Sequence, residues 1–157
     1  MNAKEYLRQV NDCKYQIECD MQRLDELREF ATATGSKELK ADVVQTSIKN
    51  AGLEDIVGKI VDCEMAIREE IGAYLKLQEF IISQIRGLEA DNQYIELLLR
   101  RYVHGERFEV IAVGMGYSYE RIRHMHGEAL ELFGNQYKES ICVTDRRRSM
   151  QMIFCEN

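Results

Sequence analysis

Residues 114–130 read GMGYSYERIRHMHGEAL. Gly116 stands where a reversing chain needs positive φ, a conformation that glycine adopts without steric penalty. Ser118 follows as the N-cap of a new helix. Glu120 lies in that helix's first turn, where the helix dipole favours a carboxylate. Ile122, Met125, Ala129 and Leu132 then form an apolar stripe, and Tyr119, Glu120, Arg123, His124 and Gly127 fall on the opposite side. Ahead of the turn, Ile111 and Met115 are four apart, and Ala112 is small enough to let two helices cross closely. The spacing predicts short helices over 107–114 and 118–133, joined as a helix-turn-helix.

Upstream of this pair, residues 91–103 (DNQYIELLLRRYV) predict one compact helix with Tyr94, Leu97, Leu98 and Tyr102 on a face. Residues 104–106 form a turn stopped by Gly105. Two much longer patterns precede it. Over 4–31, Leu7, Val10, Ile17, Met21, Leu24, Leu27 and Ala31 make one stripe. Over 53–88, Leu53, Ile60, Ile67, Tyr74, Ile81 and Leu88 recur every seven residues, with Val57, Ile71 and Ile85 between them. Two such stripes cannot both face water, and an antiparallel hairpin covers them. Imperfections such as Lys14, Glu64 and Gln78 leave room for a third helix or a second copy of the chain to complete the seam. Gly35 and Ser36 are expected to end the first helix and Gly52 to precede the second, with a long polar loop over 31–52. The tail, 135–157, has no clear period and carries Arg146, Arg147 and Arg148 in a row.

Composition agrees with an all-α chain. The 157 residues contain no proline and no tryptophan, are 45% hydrophobic and 31% charged, and carry net charge −6. Without proline nothing forces a long helix to break. The first ten residues lack a signal peptide's apolar core, and no apolar run approaches a membrane span, so a cytoplasmic location is expected. The five cysteines form no C-x-x-C pair and are expected as reduced thiols. His124 and His126 are two apart on a helix and make a poor metal pair. No nucleophile–base order, phosphate-loop glycines or paired carboxylates occur at usable spacing, so neither an enzyme nor a cofactor or metal site is expected.

The outward side of 118–127 has chemistry suited to a duplex. Arg123 can bond guanine O6 and N7 together, and Glu120 can accept from cytosine N4. Tyr119 and His124 can donate to a phosphate or base edge. Arg121 suits the backbone, and Ser118 sits at the leading end. Arg100, Arg101 and Arg107, on or near the flanking helices, are candidate phosphate contacts. Residues 94–133, and above all the E-R-I-R run of Glu120 to Arg123 followed by Ala129 and Leu130, resemble region 4 of bacterial primary sigma factors. The order DVVQTS, GLEDIVGKIVDCE, YSYERIRHMHGEAL is similar to that of small phage and prophage proteins of Gram-positive bacteria that join a coiled-coil to such a domain.

The resemblance implies promoter recognition together with host RNA polymerase. It makes Tyr94, Leu98 and Tyr102 candidate polymerase contacts, although the same residues serve equally as core. Val113 and Gly114 depart from that family's charged, helix-favouring residues, so a short or frayed helix is expected there. The expected organisation is a hairpin over 1–90, a sigma-region-4-like domain over 91–134 and a tail. Double-stranded promoter DNA is the expected partner, a homodimer through the hairpin is a second expectation, and no membrane partner is expected. A coiled-coil protein that binds polymerase or another partner without reading DNA is the alternative. Residues 1–90 hold 12 Lys and Arg against 17 Asp and Glu, whereas 91–157 hold 9 against 10. The acidic balance therefore lies mainly in the arm, and few neutralised phosphates imply weak non-specific DNA affinity.

Overall fold

A computed structural model describes the backbone of residues 1–38 and 46–142 and the side chains of 1–33 and 54–142. Every regular element among the described residues is helical: α1 (Ala3–Glu38), α2 (Thr46–Arg86), α3 (Asn92–Leu98), a π-helical stretch continuing it (Leu99–Val103), α4 (Phe108–Met115) and α5 (Tyr119–Gln136). Residues 138–142 add a further helical turn.

The expected loop over 31–52 needs correction. Gly35 and Ser36 lie within α1, and Gly52 lies within α2. Glycine in a helix costs roughly 1 kcal/mol relative to alanine, but it keeps its N–H and does not break the hydrogen-bond ladder as proline does. The remainder of that segment, 39–45 with Val43 and Val44, lies outside the described residues, as do the Arg146–Arg148 run and Cys155.

Two compact units are present. One, Cys13–Leu75, contains central parts of α1 and α2. Its buried residues, Ile17, Leu24 and Ile67, fall on the expected stripes. Arg28 donates to Glu64 at 2.8 Å, joining the two helices at an exposed edge. Met21, Val57 and Ile71, expected in the seams, are exposed. A single partner helix covers only a narrow strip of its neighbour, so residues at the strip's margin stay wet.

The other unit joins Met1–Asp12 to the chain from Lys76 onward. At its start Asn2 and Glu5 form a reciprocal cap: the Glu5 N–H donates to Asn2 Oδ1 at 2.9 Å and the Asn2 N–H to Glu5 Oε2 at 3.0 Å. The following residues Tyr6, Leu7 and Val10 are at most 2% exposed. Tyr6 donates to the buried Gln84 Oε1 at 2.9 Å, and its ring lies 6.2 Å from that of Phe133. Burial raises the Tyr6 phenol pKa. Gln136 clamps the turn after α2, donating to the Gly87 carbonyl at 2.8 Å and accepting from the Glu89 N–H at 2.9 Å.

Leu97, Ile111, Ala112, Ile122 and Met125 form the core between α3, α4 and α5. The expected α5 stripe of Ile122, Met125 and Ala129 is buried, but it continues through Phe133 and leaves Leu132 exposed. A four-residue step after Ala129 brings the larger ring between Tyr6 and Tyr137, 6.2 and 4.8 Å away. Val113 and Gly114 lie in the last turn of α4, which is short at eight residues but stays helical through Met115; a Cβ at Gly114 would meet the Arg100 guanidinium, which would have to move aside.

The turn from α4 to α5 follows the sequence expectation. Gly116 has φ 71° and ψ 29°, the Tyr117 N–H reaches the Ala112 carbonyl at 3.0 Å, and Ser118 Oγ accepts from the Arg121 N–H at 3.2 Å. A Cβ at Gly116 would meet nothing within 4 Å, so substitution there tests the backbone alone. Gly116→Ala is expected to lower unfolding free energy by about 1–2 kcal/mol in urea titrations, with Gly116→Asn falling between it and the parent. Equal stability of all three proteins would show that the left-handed turn is not required.

Candidate nucleic-acid interface

Residue identity on α5 alternates with helical period between the core and solvent. While Ile122, Met125 and Ala129 are buried, Tyr119, Glu120, Arg121, Arg123, His124 and Gly127 are exposed. Glu120, Arg123, His124 and Gly127 line one shallow cleft on this outward side. Neither Arg123 nor His124 has an ion-pair or hydrogen-bond partner among the described residues. Tyr119 sets its ring edge-on to Phe108, with centroids 6.5 Å apart. The Ser118 hydroxyl already caps α5, which leaves a spare lone pair and its O–H for any ligand.

The flanking arginines divide into three environments. Arg107 is exposed in the extended residue before α4. Arg101 donates to the Glu106 carbonyl at 2.8 Å and places its guanidinium 4.6 Å from the Phe108 ring centre. Arg100 is ion-paired with Glu96 at 3.0 Å and Glu106 at 3.5 Å, and its side chain is 28% exposed. The longer pair leaves Glu106 Oε2 buried without an aligned hydrogen bond. Arg100 is thus held by internal partners, whereas Arg101, Arg107, Arg121 and Arg123 keep donors available.

A second cleft of about 500 Å³ shares Arg123 and Gly127 with the first. Its floor contains Tyr102, Phe108 and His126. Tyr102 Oη and His126 Nε2 are 3.0 Å apart with their rings stacked at 5.8 Å, and Phe108 meets the imidazole edge-on at 4.9 Å. Burial, helped by the nearby charges of Arg101 and Lys4, pushes the His126 pKa down to about 4. Burial likewise pushes Tyr102 up to about 12, against the opposing charges of Arg101 and Arg8. Both groups are therefore neutral near pH 7. Lys4 and Arg8 of α1 line the same cleft. Sequence reasoning missed both, because their i, i+4 spacing reads as an ordinary solvated helix face and their neighbours lie about a hundred positions away.

The face expected to offer Tyr94, Leu98 and Tyr102 to polymerase is used in folding this unit. Leu97, Leu98 and Tyr102 are buried. Tyr94 is half-buried and donates to Glu128 at 2.8 Å, which raises its phenol pKa. Among the described residues no helix is long and apolar enough to cross a membrane. Compared with protein-family models, curated proteins and solved structures, the chain matches none.

The His126 environment makes stability depend on pH. The ordinary imidazole of the unfolded chain binds a proton more tightly than the folded one, so the native state loses stability as pH falls from 6.5 toward 4. The ring's partial exposure screens the contribution to about 1–2 kcal/mol. His126→Gln, which retains an acceptor for Tyr102, is expected to reduce the difference in unfolding free energy between pH 7 and pH 4.5 by that amount. An unchanged pH profile would contradict this assignment.

Proposed function

We propose that the chain is a sequence-specific DNA-binding transcription regulator in which α4 and α5 act as a helix-turn-helix and α5 is the reading helix. The carrying observation is the left-handed turn at Gly116, followed by a capped helix whose outward edge presents Glu120, Arg121, Arg123 and His124 to solvent. A helix N-terminal half exposed in this way matches the docking requirement of a major groove. Arg123 reads base edges, Glu120 accepts from cytosine or orients Arg123, and Arg121, Arg107 and Arg101 hold phosphates. Arg100 has a positioning role, tying the π-helical stretch to the turn before α4 through Glu106, while Glu96 of α3 holds the guanidinium from one turn back.

The finer assignment extends the sequence resemblance: a sigma-region-4-like reader of phage or prophage promoters, preceded by a helical hairpin arm and working with host RNA polymerase. The Arg28–Glu64 pair supports a hairpin pairing of α1 with α2. With Leu98 and Tyr102 used as core, any polymerase contact falls elsewhere on the surface. A second reading, a coiled-coil interaction protein, draws on the exposed Val57, Val61, Met65 and Leu75. Their spacing puts them on one side of α2, where a second copy or another helical partner can pack.

Fluorescence anisotropy with duplexes recovered by selection from a random pool separates the two readings. Under the DNA reading, Arg123→Ala weakens binding to the selected site by roughly 10- to 100-fold and relaxes preference at one base pair, with stability unchanged. Under the second reading no duplex is enriched, and Arg123→Ala changes neither self-association nor partner binding.

A further inference from the structure

The cleft shared by α1, the π-helical stretch and α5 collects four cations in a chain whose net charge is −6. Lys4 and Arg8 come from the first turns of α1, Arg101 from Leu99–Val103, and Arg123 from α5. The accompanying carboxylate is Asp12, which reaches Arg8 only at 4.0 Å, with both side chains 60% exposed. A pair of that length and exposure is weak and yields readily to a stronger anion. Lys4 and Arg123 have no ion-pair or hydrogen-bond partner among the described residues.

We propose that this cleft is a second DNA contact, in which Lys4 and Arg8 of α1 hold the phosphodiester backbone of the strand bordering the groove occupied by α5. The proposal rests on the DNA-binding reading above and extends the interface to the far end of the sequence. Three observations select a backbone strand. The cations stand at the rim, since Lys4, Arg8 and Arg123 are all exposed, and this suits a polyanion lying across the cleft better than an enclosed ion. The cleft is continuous with the outward side of α5 through Arg123 and Gly127, so a duplex on one reaches the other. At Gly127 a Cβ would meet nothing within 4 Å, and its absence leaves bare helix backbone where a strand can approach closely. The contact carries no base information: it sets register and raises affinity for every sequence.

The acidic balance of the chain then acquires a physical role. Repulsion from the remaining surface suppresses binding in other orientations, while four cations on one side attract the duplex in the productive one. Docking the first turns of α1 therefore completes the DNA-binding surface as well as the fold of this unit.

The test needs no knowledge of the operator, because phosphate contacts are independent of sequence. Affinity of the full chain for a mixed-sequence 20-base-pair duplex is measured across salt concentration, for the parent, Lys4→Gln/Arg8→Gln, Arg123→Ala, and a charge-matched control at exposed residues that do not line the cleft, Lys76→Gln/Arg86→Gln. Calorimetric titration with inorganic phosphate runs alongside. The expected result is a salt slope smaller by about 1.8 in the Lys4/Arg8 variant, with affinity at 0.1 M salt lower by roughly ten- to fifty-fold and no such change in the control. Equal losses in the cleft variant and the control would reduce the effect to net charge and overturn the inference. Loss of phosphate binding without loss of duplex affinity would make the cleft a site for free anions and overturn it too. If Arg123→Ala weakens duplex binding and Lys4→Gln/Arg8→Gln does not, the reading helix stands and the α1 contact falls. A parent protein that binds no duplex at low salt removes both.

Discussion

The buried hydrogen bond between Tyr6 and Gln84 holds together elements nearly eighty residues apart in sequence. Each group would be costly to bury alone, since an unpartnered polar atom in a dry interior costs about 1–3 kcal/mol. Together they allow the tyrosine ring to face Phe133 while Leu7 and Val10 lose all contact with water. Because the bond closes only when α1 lies against the end of α2, it selects one placement for the first dozen residues. α1 thus contributes to both compact units: its first turns help build the one that contains α3, α4 and α5, and the helix then continues into the other.

That placement determines the electrostatics of the proposed interface. An acidic chain does not present a uniformly acidic surface. At physiological salt the Debye length is roughly 8 Å, so a duplex responds to the charges facing it more than to the sum over 157 residues. With α1 in place, Lys4 and Arg8 join Arg101 and Arg123 around one cleft, above a neutral floor of Tyr102 and His126. Keeping that floor neutral avoids burying charge, while the rim cations remain hydrated and free to meet phosphate.

Local rules made the centre of this arrangement legible. The left-handed Gly116, the Ser118 cap and the buried Ile122, Met125 and Ala129 each follow from a few neighbouring residues and a fixed helical period. Distant contacts decided what was missed. Phe133 replaces Leu132 in the core because Tyr6 and Tyr137 supply partner rings, and Gly114 makes room for Arg100. Periodicity alone gives Leu98 and Tyr102 the same appearance whether they form a core or a docking face. Glycines at 35 and 52 look like helix ends, but without proline or a competing cap the helical ladder runs through them. Lys4 and Arg8 carried no signal, since nothing near them in sequence reveals that α5 lies alongside.

Residue-resolved amide hydrogen exchange tests most directly whether the start of α1 and α5 form one cooperative structure. The account predicts that the Leu7 and Val10 amides open with the same free energy as those of Met125 and Ala129, because all four are released by the same unfolding event. Rapid exchange at Leu7 and Val10, as at a frayed helix end, with Met125 and Ala129 still protected, would contradict it.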